Sequence, residues 1–473
     1  MLGLFGTLDM AARSLSVQQE ATEVAGQNLA NASNAAYARQ QLVVQSATPL
    51  QTSLGQEGTG VDAIAITEVR NSILDNQIQA EASVTGSLSA QQSSLQEAEA
   101  YLDEQMSAQS STGSSAASAS SSNGLAAALS GLFDSFQSLS TNPSDLSQRQ
   151  AVIAAAQQLA GQFNQVSSQL GQVQSGLNAS IQSDVATANQ DLSGIASLNQ
   201  QIIQAQAGGG TANDLVDQRE QLIENLAGTA NLSLADDSNG GIDVSIGGVT
   251  MVSGENMVDS LTTADAANGN ATVQDANSSA PLALTSGSIE GEMTARDGAL
   301  AGLQGGLDTL ASQLITNVNQ IYSAGYDLNG NTGQNFFVGS NAATIGVSSS
   351  LASDPTQFQA SAAAGATGDN TIALSLAQLA NQNISALDGQ TLSQSYAQNV
   401  ANLGDAISSV NDQLNNSQAV SQMLTTQRAS ASGVNIDQEM TNLLQFQKAY
   451  EASAELVTTV NQMLQALVTM KTT

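Results

Sequence analysis

The chain has 473 residues, enough for two to four domains of roughly 100–200 residues, and carries 9 Lys and Arg against 41 Asp and Glu, a formal net charge of −32. Phosphate backbones and anionic lipid are held by clustered cations, and none exists here, so no nucleic acid and no membrane surface is expected as a partner. Histidine and cysteine are both absent, which removes Ser-His and Cys-His triads, His or Cys zinc sites, iron–sulfur ligation and disulfides together.

Charged residues make up 11% of the chain, against about 25% in ordinary soluble domains. Ser, Gln, Asn and Thr fill the polar positions, a surface suited to close self-packing because few charges need burying; an acidic soluble protein of biased composition accounts for the charge equally well. The lack of cysteine fits a chain exported reduced and unfolded, although cytosolic proteins also lack it. No apolar run reaches the ~18–20 residues of a membrane span, and the N-terminus lacks the pattern of a cleavable signal.

In chain order, Leu4, Leu8, Ala11, Leu15, Gln18, Thr22, Ala25 and Leu29 alternate steps of four and three, a heptad seam stopped by Asn28, Asn31, Ser33 and Asn34. A Ser-rich stretch from Ser107 to Gly124 reads as a spacer or surface loop. Leu125 to Leu139 predicts a short helix closed by Asn142-Pro143, with Ser144 or Asp145 capping the next. That next helix keeps the seven-residue repeat from Val152 to Leu177, takes an extra four-residue step, and resumes it from Ile181 to Ile202. About 55 residues make a rod of about 80 Å, unless Gly171, Gly176 or Gly194 folds it into a hairpin.

After Gly208-Gly209-Gly210 a helix is expected from Asn213 to about Ala227, and then the period changes. Leu232, Leu234, Ile242, Val244, Ile246, Val249, Met251 and Val258 lie in short alternating segments broken by Asn239-Gly240-Gly241 and Gly247-Gly248, predicting a small β region over 231–290. Helical periodicity returns with Leu303, Leu307, Leu310, Leu314 and Val318, and again from Ile372. At the C-terminal end Asn435 with Gln438 reads as a capping box. Leu443, Phe446, Tyr450, Ser453, Val457, Val460, Leu464 and Leu467 form a second seam, with Lys471 in the last turn. Each terminal helix fits a coiled-coil strand, and each also fits an ordinary amphipathic helix lying on a globular body.

Little chemistry is legible. Asp327-Leu328-Asn329-Gly330-Asn331 resembles the start of a calcium loop, but Thr332 stands where glycine belongs and Val338 where a bidentate glutamate belongs, so it reads as a turn. Acids are scattered, and nothing selects a pair for glycan cleavage. Asp217 with Arg219 and Arg296 with Asp297 place rare cations beside acids, where each arginine serves a fixed partner or a solvated surface.

Particular strings say more. They are Asn28-Leu29-Ala30-Asn31 with Tyr37-Ala38-Arg39-Gln40, Gly58-Thr59-Gly60-Val61, and Leu139-Ser140-Thr141-Asn142-Pro143 with Arg149. Further along come Asn213-Asp214-Leu215-Val216-Asp217-Gln218-Arg219, Gly287-Ser288-Ile289 with Arg296-Asp297, Gly325-Tyr326-Asp327 with Phe336-Phe337, and Gly368-Asp369-Asn370. The last runs from Ser432-Gly433-Val434-Asn435-Ile436-Asp437 through Phe446-Gln447, Tyr450 and Ala452. In this order the chain resembles the flagellar hook-associated protein 1 family, the FlgK hook–filament junction proteins, along nearly its whole length.

The resemblance implies a mainly α fold with a small β insertion: an elongated multi-domain axial protein with N- and C-terminal coiled-coil helices and a helical rod domain. Residues 1–45 and 434–473 would form the terminal core helices, 46–230 and 291–433 the rod, and 231–290 a small outer β region. Leu4, Leu8, Leu15, Leu29, Leu443, Phe446, Tyr450, Val457, Leu464 and Leu467 become the expected assembly interface. The implied function is structural and non-enzymatic, without cofactor or metal: type III export, self-association, and contact with the hook protein, the second junction protein and a cytoplasmic chaperone at the C-terminal region. Another axial flagellar protein (flagellin, the second junction protein or a hook subunit) is the alternative, and a secreted glycan hydrolase a distant one. Many family members carry a further β domain after Phe336-Phe337; here about thirty residues reach Gly368, too few for one.

Overall fold

The computed structural model describes residues 3–34, 36–52, 55–102 and 124–470. The Ser-rich expectation for 107–123 and the placing of Lys471 lie outside the described residues. Helix α1 (Leu4–Ala30) and helix α11 (Ile436–Met470) run antiparallel. Their midpoints meet where the Ser14 and Ser453 hydroxyls hydrogen-bond at 3.1 Å, and beyond the C-terminal end of α1 Arg39 reaches Glu439 at 3.5 Å. Asn435 caps α11 by accepting the Gln438 amide at 3.1 Å.

Between these helices and the rod lies an element that the helical reading of 46–230 does not contain. Strands β1 (Gln40–Ser46) and β4 (Val61–Glu68) pair antiparallel from Gln40↔Glu68 to Ser46↔Val61, with a bulge at Val43/Val44, and β2 (Leu50–Thr52) pairs with β3 (Gly55–Glu57) at the tip. The hairpin lies along α1, pinned near its tip by Arg13 to Asp62 at 2.8 Å. At its root the buried Asn28 amide accepts from Gln40 N (2.8 Å) and the Tyr37 hydroxyl (2.9 Å) and donates to Gln40 O (2.9 Å). Its strands are short, mixed in polarity and only half-buried, so they lack the clean alternation that announces a strand.

The rod is built from α2 (Ser72–Leu102), α3 (Leu125–Thr141), α4 (Leu146–Ala207), α5 (Asn213–Thr229), α6 (Ser288–Ala295), α7 (Ala301–Tyr322), α9 (Thr371–Gln378) and α10 (Leu392–Ser432), with a short α8 (Ser349–Ser353). Helix α4, capped by Asp145 on Ser147 N at 2.7 Å, runs unbroken for 62 residues through Gly171, Gly176 and Gly194, about 93 Å at 1.5 Å per residue. Every apolar position of its predicted seam is buried. The four-residue step has a structural counterpart: Leu177 is the last α4 residue of one hydrophobic cluster and Ile181 the first of another. The inner cluster joins α4 to α2, α3, α7, α9 and α10, whereas the outer one joins it to α5, α6 and the β region. An extra four residues rotate the apolar line as the partners change.

The inner cluster centres on Phe336, whose ring centroid lies 4.7 Å from Phe337, 5.2 Å from Tyr322, 5.6 Å from Phe136 and 5.9 Å from Phe358. Helices close tightly where side chains vanish: a Cβ on Gly291 would meet Ser87 O of α2 at 2.2 Å, and one on Gly86 would meet Gly228 O at 2.1 Å. Between α6 and α7 the turn Arg296–Leu300 is π-helical.

The outer region carries a sheet in the order β5 (Leu232–Asp236), β6 (Ile242–Ile246), β7 (Val249–Ser253), β8 (Asn256–Met257), and a separate pair, β9 (Leu261–Asp265) with β10 (Ala271–Asp275). Asparagines of α4 bind both partners of the strand backbone. Asn199 donates to Ile242 O (2.8 Å) and accepts from Ile242 N (3.2 Å). Asn189 does the same with Leu261 (2.8 and 2.9 Å), and Asn178 donates to Gly269 O (3.1 Å) and accepts from Ala271 N (3.1 Å). After Phe337, the stretch to residue 370 holds only the two-residue strands β11 (Phe337–Val338) and β12 (Gly346–Val347), α8 and turns.

Candidate assembly interface

An apolar line on α1 can face one neighbour, and α1 has two lines. Leu4, Leu8, Leu15 and Leu29 lie half-buried on the first, with Ala11 and Ala25 fully buried between them. Roughly a quarter turn away, Met10, Val17, Ala21, Val24 and Asn28 form a second line, which begins against Gly60 and ends on Gln40 of the hairpin. Both lines of α1 are therefore occupied within the chain.

Helix α11 is covered much less. Leu443, Phe446, Val457 and Leu464 are half-buried with Ser453, whose hydroxyl meets Ser14, and Val460 is fully buried. Tyr450 (42% exposed) and Leu467 (54%) stand outside this strip. The structure thus brings eight of the ten expected interface residues to the terminal helix pair as half-buried positions and leaves two in solvent. Beside them lie apolar side chains the periodicity did not single out: Met440, Leu444, Leu456, Met463 and Val468 are all exposed, as is Phe5 on α1. Single exposed apolar residues are ordinary, but a run of them along one helix is a surface lacking a partner.

Where the terminal helices meet the rod, the packing turns from apolar to charged. Arg70, just after β4, hydrogen-bonds Asp217 of α5, reaches Glu68 at 3.2 Å and lies 3.6 Å from Asp75 of α2. Asp217 also accepts the Ala38 amide at 3.3 Å, Asp214 accepts from Gln40 Nε2 at 3.0 Å, and Asn213 donates to Ile66 O at 3.1 Å. Burial pushes Glu68 up to about 7 and Asp217 up to about 6; the neighbouring acids add to the rise and Arg70 opposes it. The Tyr37 phenol is held neutral by burial and by the same acids.

Four other arginines are also rivets between elements. Buried Arg219 donates to Asn199 (3.0 Å) and Gly240 O (3.2 Å), and buried Arg296 to Asn178 and Ala271 O (both 2.8 Å) while forming two bonds with Asp297. Arg149 binds the carbonyls of Pro143 and Phe358, and Arg428 pairs with Glu224 at 2.9 Å. Arg149 carries this role without the nearby acid that drew attention to Arg219 and Arg296, while Arg70 has Glu68 at the same two-residue spacing as Asp217 from Arg219; in a chain of nine cations, rarity was the further signal. The Asp327 carboxylate accepts from Asn329 N, Asn331 N and Asn331 Nδ2 at 2.7–2.9 Å, so both its oxygens serve the turn. Among the described residues no group of three or more acids is placed to hold a metal ion.

Two long helices paired at the chain ends, a helical rod and a small β region define an elongated, mainly α subunit of the axial class. Residues 111–337 match the flagellar hook-associated protein FlgK helical domain, and residues 425–470 the flagellar basal body rod FlgEFG protein C-terminal region. The chain is 26% identical to flagellar hook-associated protein 1 of Bacillus subtilis (strain 168) over 99% of this chain and 98% of that protein. It is 24% identical to flagellar hook-associated protein 1 of Salmonella typhimurium over 62% of this chain and 72% of that one. The fold is that of the flagellar hook junction protein FlgK from Burkholderia pseudomallei, with a TM-score of 0.63 at 18% identity, over 76% of this chain and all of that one. The chain belongs to the flagellar hook-associated protein 1 (FlgK) family.

Proposed function

We propose that this chain is the adaptor that joins the flagellar hook to its filament, an extracellular structural subunit that associates with copies of itself and with hook and filament components. The end-to-end likeness to proteins named flagellar hook-associated protein 1 supports this reading, and the observation that carries it in the molecule is the thinly covered seam of α11. Residues 1–45 and 434–473 would form the inner layer, 46–230 and 291–433 the rod around it, and 231–290 the outward face. Leu4, Leu8, Leu15, Leu29, Leu443, Phe446, Tyr450, Val457, Leu464 and Leu467 would pack against neighbouring copies, burying apolar surface worth roughly 25 cal/mol per Å². The second junction protein would follow in the stack. Before export, a cytoplasmic chaperone would cover the C-terminal region, whose exposed Leu444, Leu456 and Met463 need shielding from water.

Deletion of the gene tests the role. Hooks without filaments, with unassembled flagellin in the medium, are expected; normal filaments would refute the assignment. The inner-layer reading has its own test in amide exchange of the purified monomer. Residues 443–467 are expected to exchange far faster than 152–202 of α4, because their coverage awaits neighbours. Equal protection of both would remove the intermolecular role of the seam.

A further inference from the structure

The joint between the terminal helices and the rod is built unlike either side of it. At its centre Arg70 serves acids from three elements: Glu68 at the end of β4, Asp75 at the head of α2, and Asp217 of α5 with Glu220 beside it. The surrounding cations are already engaged. Arg219 of α5 is bound to Asn199 and Gly240 and lies 3.9 Å from Glu220, facing Asp236 of β5. Arg428 of α10 is paired with Glu224, and Arg39 with Glu439 of α11. Asp214 holds Gln40, and the Tyr37 phenol, bonded to Asn28, faces Asp214 and Asp217. Among the described residues Arg70 is left as the one cation in ion-pair reach of Glu68, Asp75 and Asp217, with Glu220 nearby and shared with Arg219.

Three oxygens of that ring, Glu68 Oε1, Asp75 Oδ2 and Asp217 Oδ2, are buried with no hydrogen-bond partner among the described residues. Asp75 and Asp217 are only 8% and 5% exposed. An ionised oxygen in that condition is costly, and a protonated one much less so. Beside the ring a cleft of about 210 Å³ opens between residues 31–34 and 36–38 and helices α2, α5 and α10. The two bodies therefore meet across a polar gap held by few bonds: Ala38 to Asp217, Gln40 to Asp214, Asn213 to Ile66 and Arg39 N to Ser432 O at 2.9 Å.

We propose that this joint is a proton-operated hinge: protonated carboxyls in the ring clasp residues 37–40 to α5, and full ionisation of Glu68, Asp75, Asp217 and Glu220 drives the clasp open. The direction follows from linkage. Burial raises all four acids, Glu68 from 4.5 to about 7 and Asp217 from 3.8 to about 6. The closed joint then binds more protons than the open one, so closing carries no penalty below the open-state values, loses stability as pH rises, and bears the full penalty above about 7.

Amide exchange of the whole chain at pH 5.5 and 8.5, corrected for intrinsic rates, tests the hinge at the amides of Arg39, bonded to Ser432 O, and Val69, bonded to Arg39 O. Their protection relative to α4 is expected to fall about tenfold or more between the two pH values. Glu68→Gln, which keeps an acceptor for Arg70, should flatten most of that fall, and Asp75→Asn part of it. The α4 amides report whether either variant has lost its fold, in which case the other decides. A flat wild-type profile, an unchanged fall in both variants, or unprotected Arg39 and Val69 amides at both pH values would each overturn the hinge.

Discussion

Helices α4 and α11 carry the same seven-residue apolar repeat, yet twenty-one of the 62 residues of α4 are buried, against Glu439 and Val460 alone among the 35 of α11. A heptad pattern specifies a helix with an apolar line; it says nothing about which chain covers that line. Around α4 the cover comes from α2, α3, α5, α6, α7 and the β region of the same chain. Along α11 it comes from α1, which divides its own surface between α11 and the hairpin. One helix is finished on folding and the other awaits neighbours.

The contrast can be broken from its buried side. Phe336→Ala removes a ring with no exposed surface and four aromatic neighbours, and is expected to cost about 3–5 kcal/mol in denaturant unfolding followed by far-UV circular dichroism. A loss under about 1 kcal/mol would mean that the inner core is not the stability centre of the rod. From the exposed side, Leu444→Ser alters a residue that is 56% exposed. It should leave the monomer within about 0.5 kcal/mol of wild type while sharply reducing filament number when it replaces the wild-type gene. Filaments at wild-type number would place Leu444 outside any interface.

The smallest effect lies at the rod end. Asp369 is lowered to about 2 by the Thr371 hydroxyl and the amides of Ala362 and Thr371. A depressed carboxyl adds stability that is present above its ordinary value and lost as pH falls through about 2. Asp369→Asn should therefore lower the unfolding midpoint slightly at pH 7, and the gap from wild type should narrow steadily as pH falls below about 4. A gap that stays constant down to pH 2 would show that the loop is held by something other than that charge.

Much of the rod was legible because it is made of long amphipathic helices. All fifteen residues of the predicted α4 seam are buried, joined by six that the repeat did not name, and even the irregular step between Leu177 and Ile181 marks a real boundary between two cores. The 231–290 region announced itself through its Asn-Gly and Gly-Gly turns. The hairpin over 40–68 did not, because its strands lie half-buried against one helix and show no strong alternation. The roles of Asn178, Asn189 and Asn199 were illegible for another reason: a side-chain amide that grips a strand backbone looks in sequence like any polar residue on a helix. Tyr450 and Leu467 share the repeat of half-buried Phe446 and Leu464 yet stay exposed in the single chain, because periodicity counts turns and not neighbours. At the joint, rare Arg70 with Glu68 close before it was the available hint, and the four acids around it come from segments up to about 150 residues apart in the chain.

Because α4 passes without a break from the aromatic core along its N-terminal half, past the strands gripped by its C-terminal half, to an end beside the charged joint, the molecule has a mechanical spine. A bending load or torque at the aromatic end enters α4 near Leu146 and travels about 93 Å along a single ladder of backbone hydrogen bonds to Ala207, with no loop on the way to absorb it. The rod therefore behaves as a stiff lever, and the compliance left to the subunit is concentrated at the charged joint beneath it.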